Sequence, residues 1–336
     1  MSTITGASTV DELPDPEGHG PFEGDRASTG RLGDRIFGGT ARGAGVLVIA
    51  MVTLVAVFLL SQAIPALAAD KVNFFTSTQW NVDATPLQFG IANLLWVTVL
   101  SSVIAMIIAV PLGVGVALFI TQYAPRWLSR PAASMVDLLA AVPSIVYGLW
   151  GLQVLGTHMA GIQSVLEKLF GWFPLFQDAG IDASSTVLTV SVVLSIMVLP
   201  IVTALSREVF AQTPTLHKEA ALALGATRWE MIRTAVLPFG KPGIISAAML
   251  GLGRALGETI AVMVILSALA DGTPWSWSMF NGGETFASKI ANNAAEFDSP
   301  QKAGAFMAAG LVLFTLTFVV NAIARVVIER RKVFAE

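Results

Sequence analysis

The stretch MLGLGRALGETIAVMVIL, residues 249–266, is apolar or glycine almost throughout, yet it places Arg254 and Glu258 four residues apart. On a helix advancing about 100° per residue the two stand roughly 40° apart, which predicts one face for both side chains. A full charge at the centre of a bilayer costs on the order of 3 kcal/mol, so the pair is expected to face protein or a wet path. Arginine keeps its charge when desolvated and donates two parallel hydrogen bonds to an oxyanion. A carboxylate beside it is a pure acceptor, which suits an oxyanion that retains a proton: phosphate near neutrality has a P–OH and sulfate has none. Their near-zero summed charge keeps binding weak, as cargo that must leave requires. A structural salt bridge, within the helix or to a partner, fits the same two residues, and the sequence leaves both readings open. Gly251 lies near their face, and Gly253 and Gly257 form a Gly-x-x-x-Gly step on another, where a neighbouring helix is expected to come close.

A second polar group lies in VDLLAAVPSIVYGLWGL, from Val136. Pro143 removes a backbone donor, so a kink there would turn Ser144 and Tyr147 toward the same path, or serve packing alone. Asp137 is expected near the end of its span, in water. The three histidines show no metal-ligand spacing, there is no cysteine to supply a disulfide or a nucleophile, and no Gly-x-x-x-x-Gly-Lys-Ser/Thr loop occurs. The chain therefore carries no ATP-hydrolysing motif of its own.

The elements that must hold these residues are membrane spans. With 54% hydrophobic and 13% charged residues, and a mean hydropathy of +0.70, the chain is far poorer in charge than a soluble domain. Apolar runs at 44–69, 91–120, 133–155, 185–204, 243–268 and 303–328 predict six transmembrane helices. Ala66 and Ala68 imitate a signal-peptidase site, but the run before them is too long for a signal h-region. Residues 1–43, acidic and glycine-rich, are expected to form a disordered tail, and 329–336 a short C-terminal one. Lys and Arg fall fifteen to four on alternate sides of these spans, with Arg254 left inside, which predicts both termini in the cytoplasm. The net charge of −3 argues for no nucleic-acid partner.

The largest cytoplasmic connection, about 205–242, reads SREVFAQTPTLHKEAALALGATRWEMIRTAVLPFGKPG from Ser206. Two short helices are expected. Thr213 or Thr215 would cap the first and Gly225 would end it, and the second would close at Pro238. Glu219, Ala220 and Ala221, then Gly225, then Leu237 and Pro238, resemble the EAA motif of permease subunits in binding-protein-dependent ABC importers. Ala235 departs from it, because the family prefers isoleucine there. VDLLAAVPSIVYGLWGL and MLGLGRALGETIAVM resemble, more narrowly, the permeases of phosphate-specific importers. Ile260-Ala261-Val262 after the Gly-Glu-Thr core favours the PstC over the PstA type.

The resemblance covers about residues 44–328. It implies an all-α, MetI-like, type I importer permease in a bacterial plasma membrane, with no catalytic residues, metal or cofactor of its own. It also implies a PstA-type partner permease, two PstB-type ATPases holding ATP and magnesium, and a PstS-type binding protein outside. The EAA segment would couple to the ATPases, and Arg254, Glu258, Ser144 and Tyr147 would line the substrate path. A PstA-type role, or a permease for sulfate or molybdate, stands as the alternative.

Overall fold

The computed structural model describes residues 32–270 and 273–332. Its long helices are α1 (Leu32–Ala69), α2 (Ala92–Leu118), α6 (Val187–Ala211), α9 (Leu237–Leu256) and α12 (Pro300–Lys332). Among the described residues five helices are long and apolar enough to cross a membrane, and a sixth span results if one bent pair counts as one. Two two-residue strands, β1 (Trp80–Asn81) and β2 (Gln88–Phe89), form an antiparallel hairpin beside this otherwise helical architecture.

Helix α1 begins at Leu32, so residues 32–43, read from sequence as tail, are helical. Extending a helix from an apolar segment already formed needs no new nucleus, which outweighs the glycines here. The rest of the expected tail, 1–31, lies outside the described residues. At the other end α12 continues to Lys332, leaving only 333–336 of the expected C-terminal tail beyond the description.

The core sits around α6. Its Thr186 N-cap accepts the Thr189 amide, and Val190, Val193, Leu194, Met197, Val198 and Val202 are buried in succession. Helices α2 and α9 flank it. Burying Ala105 and Ala109 of α2 and Ala255 of α9 beside these side chains brings three backbones close. Gly251 makes the closest approach of α9 possible, because a methyl group there would meet Val198 and Val202.

The third and fifth spans are not continuous rods. Residues 133–155 divide between α3 (Arg126–Ala140) and the segment Ser144–Phe170, bent by 91°. That segment contains α4 (Ser144–Trp150), a π-helical turn at Gly151–Leu155 and α5 (Gly156–Phe170). Pro143, with extended backbone and no amide hydrogen, stands at the break. The fifth span breaks between Leu256 and α10 (Ile260–Ile265).

Two aromatic loops, one after α5 and one after α10, close on each other. The Met279 amide donates to the Leu175 carbonyl at 2.9 Å, and Phe176 packs edge-on against the buried Phe280. A further short helix, α11 (Phe286–Asn292), starts at a capping box of Thr285 and Ser288 and buries Phe286.

Candidate functional site: a broken span joined to a coupling elbow

The connection between α6 and α9 forms the expected elbow, with two differences. Helix α7 (Thr215–Ala223) starts after Pro214 without a side-chain cap, so neither Thr213 nor Thr215 caps it. Its far end matches the expectation: Gly225 adopts φ +84°. The Gly225 amide donates to Leu222 at 3.0 Å and the Ala226 amide to Ala221 at 3.2 Å. This closes the last turn with the paired bonds that favour glycine at this position.

The second piece, α8 (Arg228–Met231), begins at a reciprocal capping box of Thr227 and Glu230. It does not close at Pro238. A π-helical turn at Ile232–Val236 carries the chain directly into α9, where Pro238 occupies the first turn and leaves no amide unsatisfied. The run Arg228–Leu256 is one span-length helical segment.

Glu219 and Ala220 are exposed on α7, together with Leu216, Leu222 and Leu224, the last 90% exposed. Ala221 faces inward. It packs with Leu237 against Phe210, Met231, Ile232 and Val236, four residues that sequence reasoning passed over. Gly240 lies flat under the Phe210 ring, where a methyl group would not fit. The apolar period of 232 and 236 was the available signal for this packing.

At the other end of α9, Ala247, Gly251 and Ala255 form the buried row, while Ser246, Leu250 and Arg254 lie on the exposed side. Arg254 is in the last helical turn, where its charge complements the helix carbonyls. It is about 26 Å from Leu237 along the helix, at about 1.5 Å per residue. The expected shared helical face with Glu258 is overturned: Gly257 ends α9, and Glu258 lies in the break. There the carboxylate Oε1 accepts the Ala261 amide at 3.3 Å, tying down the first turn of α10, and only 8% of the residue is exposed.

Among the described residues no carboxylate oxygen stands within 4.0 Å of the Arg254 guanidinium, so a bridge to Glu258 within the chain is absent. The Gly253–Gly257 step is not a packing seam in this chain either. A methyl group at Gly253 would meet nothing within 4 Å, and Gly257 is exposed.

The two broken spans meet at this point. Gly148 of α4 lies against the backbone of Ala261, and Gly151 against Val193 and Ile265. Ser144 is the first residue of α4 and half-buried. The Tyr147 ring is buried at 8% exposure, and its hydroxyl donates to the Leu139 carbonyl at 2.9 Å. The same carbonyl also accepts the Val142 amide at 3.3 Å, so the hydroxyl adds a second bond where Pro143 offers no amide. Tyr147 and Glu258 thus stand at the two breaks where α4 meets α10, Arg254 lies in the turn of α9 that leads into the second break, and the EAA segment stands at the opposite end of α9. Asp137, in the last turn of α3, is half-exposed and paired to Arg207 at 3.2 Å.

Residues 109–333 match the family described as binding-protein-dependent transport system inner membrane component. The chain is 53% identical over 300 residues to the phosphate transport system permease protein PstC 2 of Mycobacterium tuberculosis, covering 88% of this chain and 92% of that protein. It is 38% identical to the phosphate transport system permease protein PstC of Mesorhizobium japonicum, covering 89% and 91%. Among solved structures, a bacterial ABC transporter involved in import of the acidic polysaccharide alginate matches with a TM-score of 0.50 at 15% identity. That match covers 71% of this chain and 78% of the other, and shows the shared fold. The chain accordingly belongs to the binding-protein-dependent inner-membrane transport components, as a permease of the PstC type.

Proposed function

We propose that the chain is one of two homologous permease subunits of an ATP-driven phosphate importer. In this reading a PstA-type subunit completes the path, two PstB-type ATPases with ATP and magnesium dock at the EAA elbow, and a PstS-type protein delivers phosphate from outside. Both termini and the elbow face the cytoplasm, consistent with the lysine and arginine distribution.

One observation carries the reading: the continuous helical segment Arg228–Leu256 joins the elbow at one end to Arg254 at the other. A docking partner that moves Glu219, Ala220 and Ala221 would pull on Leu237 and Pro238 through their shared apolar cluster. Alpha-helices are stiff over this length, so that displacement reaches Arg254. The names of the relatives supply phosphate as the cargo. The broken span supplies a chemical basis for it: Arg254 offers parallel donors, and among the described residues no donor meets Glu258 Oε2, which leaves that oxygen to accept from a P–OH. Ser144 opens α4 at the other break, and the Tyr147 hydroxyl braces that break.

The test is reconstitution. Co-expressed with a candidate ATPase and partner permease, the chain should co-purify with both and support ATP-dependent uptake of labelled phosphate into proteoliposomes containing the binding protein. Phosphate uptake that proceeds without an ATPase subunit would overturn the reading.

A further inference from the structure

A cavity of about 420 Å³ opens beside the elbow, between the end of α2, the first turn of α3, the last turns of α6 and Lys218 of α7. Three cations line it, Arg126, Arg207 and Lys218, against one carboxylate, Glu208. Glu208 already accepts a hydrogen bond from Gln212 at 3.2 Å. Arg207 uses its Nη2 on Asp137, while its Nη1 is buried with no partner. With Arg207 paired to Asp137, the cavity's charge comes chiefly from Arg126 and Lys218. The first turn of α3, which starts after Pro125 without a side-chain cap, adds Arg126 and the Ser129 hydroxyl to the lining.

Guanidinium donors and an ammonium around one cavity suit the oxygens of a phosphate group. We propose that this cavity binds a phosphate-type oxyanion, supplied either by the headgroup of an anionic phospholipid or by free phosphate on the elbow side. Trp127, 76% exposed and adjacent to Arg126, favours the lipid source. Met135 and Leu138 are also exposed along α3, an apolar surface with an aromatic residue at its start, as at a headgroup boundary. Basic pockets between spans on the cytoplasmic side take lipid headgroups in this way. Occupancy would tie α3 and α6 to α7, one residue before Glu219, and so set the resting position of the elbow. The site rests on the proposed function only for the side on which it lies.

The experiment uses the whole importer complex in two arms. In the first, complexes from nanodiscs of mixed phosphatidylglycerol and phosphatidylcholine are examined by native mass spectrometry for retained phosphatidylglycerol. In the second, delipidated complex is dialysed against radiolabelled orthophosphate. Arg126 is exposed, so R126Q leaves the fold intact, and R126K restores the charge. The expected result is about tenfold weaker retention in R126Q and R207Q and recovery in R126K, the effect of losing one charge-assisted bond. Loss in the first arm identifies a headgroup, and loss in the second identifies free phosphate. Retention of both probes at the wild-type level in R126Q and R207Q would overturn the site. Failure of the intact complex to take up phosphate would instead count against the transport reading and leave this site standing.

Discussion

Glu258, just before the Thr259 N-cap of α10, accepts the backbone amide of Ala261 at 3.3 Å, so its carboxylate ties down the first turn of α10 at the point where the fifth span breaks. The same side chain has a structural duty at Oε1, and among the described residues no donor meets Oε2. The two duties separate by mutation. Glutamine keeps an acceptor for the Ala261 amide but adds a donor, so E258Q should assemble normally and shift the preference among phosphate, arsenate and sulfate. Alanine removes that acceptor and should lower stability by about 1 kcal/mol, read as a lower unfolding midpoint of the purified complex. Equal loss of assembly in E258Q and E258A would show that Glu258 serves structure alone.

Tyr147 spans the other break, donating to Leu139 at 2.9 Å. Removing the hydroxyl in Y147F leaves the buried ring in place and gives up about 0.5–1.5 kcal/mol. Thermal stability should fall modestly while phosphate uptake by the assembled complex stays above half of wild type. Uptake abolished in a complex of normal stability would assign the hydroxyl to cargo instead.

At Gly225 the constraint is backbone conformation and not space, because φ is +84° and a methyl group would meet nothing within 4 Å. G225A should cost about 1–2 kcal/mol locally, and G225N less, since asparagine tolerates the left-handed region. Uptake per ATP hydrolysed should therefore fall in the order glycine, asparagine, alanine. An equal coupling ratio in all three would remove the conformational argument.

Two glycines on α9 make a matched pair. A methyl group at Gly251 meets Val198 and Val202, whereas one at Gly253 meets open space in this chain. G251A should destabilise the isolated subunit by about 1–3 kcal/mol through overpacking. G253A should leave the isolated subunit unchanged and weaken only its association with the partner permease, as scored by co-purification. Identical behaviour of the two variants would contradict the packing described for α9.

Much of this was legible in the sequence. Apolar run length located the spans, because each backbone in lipid must satisfy itself. Gly225 marked the end of α7, because few residues other than glycine adopt its φ readily. The break at Gly257–Glu258–Thr259 was not legible: no proline marks it, and a strict helical period carried across it placed Arg254 and Glu258 on one face. Pro238 misled in the opposite direction. It reads as a stop, but a π-helical turn before it places it in a first turn, where its missing amide costs nothing. The bonds from Tyr147 to Leu139 and from Arg207 to Asp137 join residues brought together by the fold, and no local pattern foretells them.

The proposed role of Arg254, cargo contact at the far end of a helix driven from the elbow, is tested most directly by R254Q in the assembled importer. ATP hydrolysis and labelled phosphate uptake would be measured on the same proteoliposomes. That role predicts an intact complex that still hydrolyses ATP while uptake falls about tenfold to a hundredfold, as loss of a charged donor pair implies. Phosphate uptake by R254Q at the wild-type rate would contradict it.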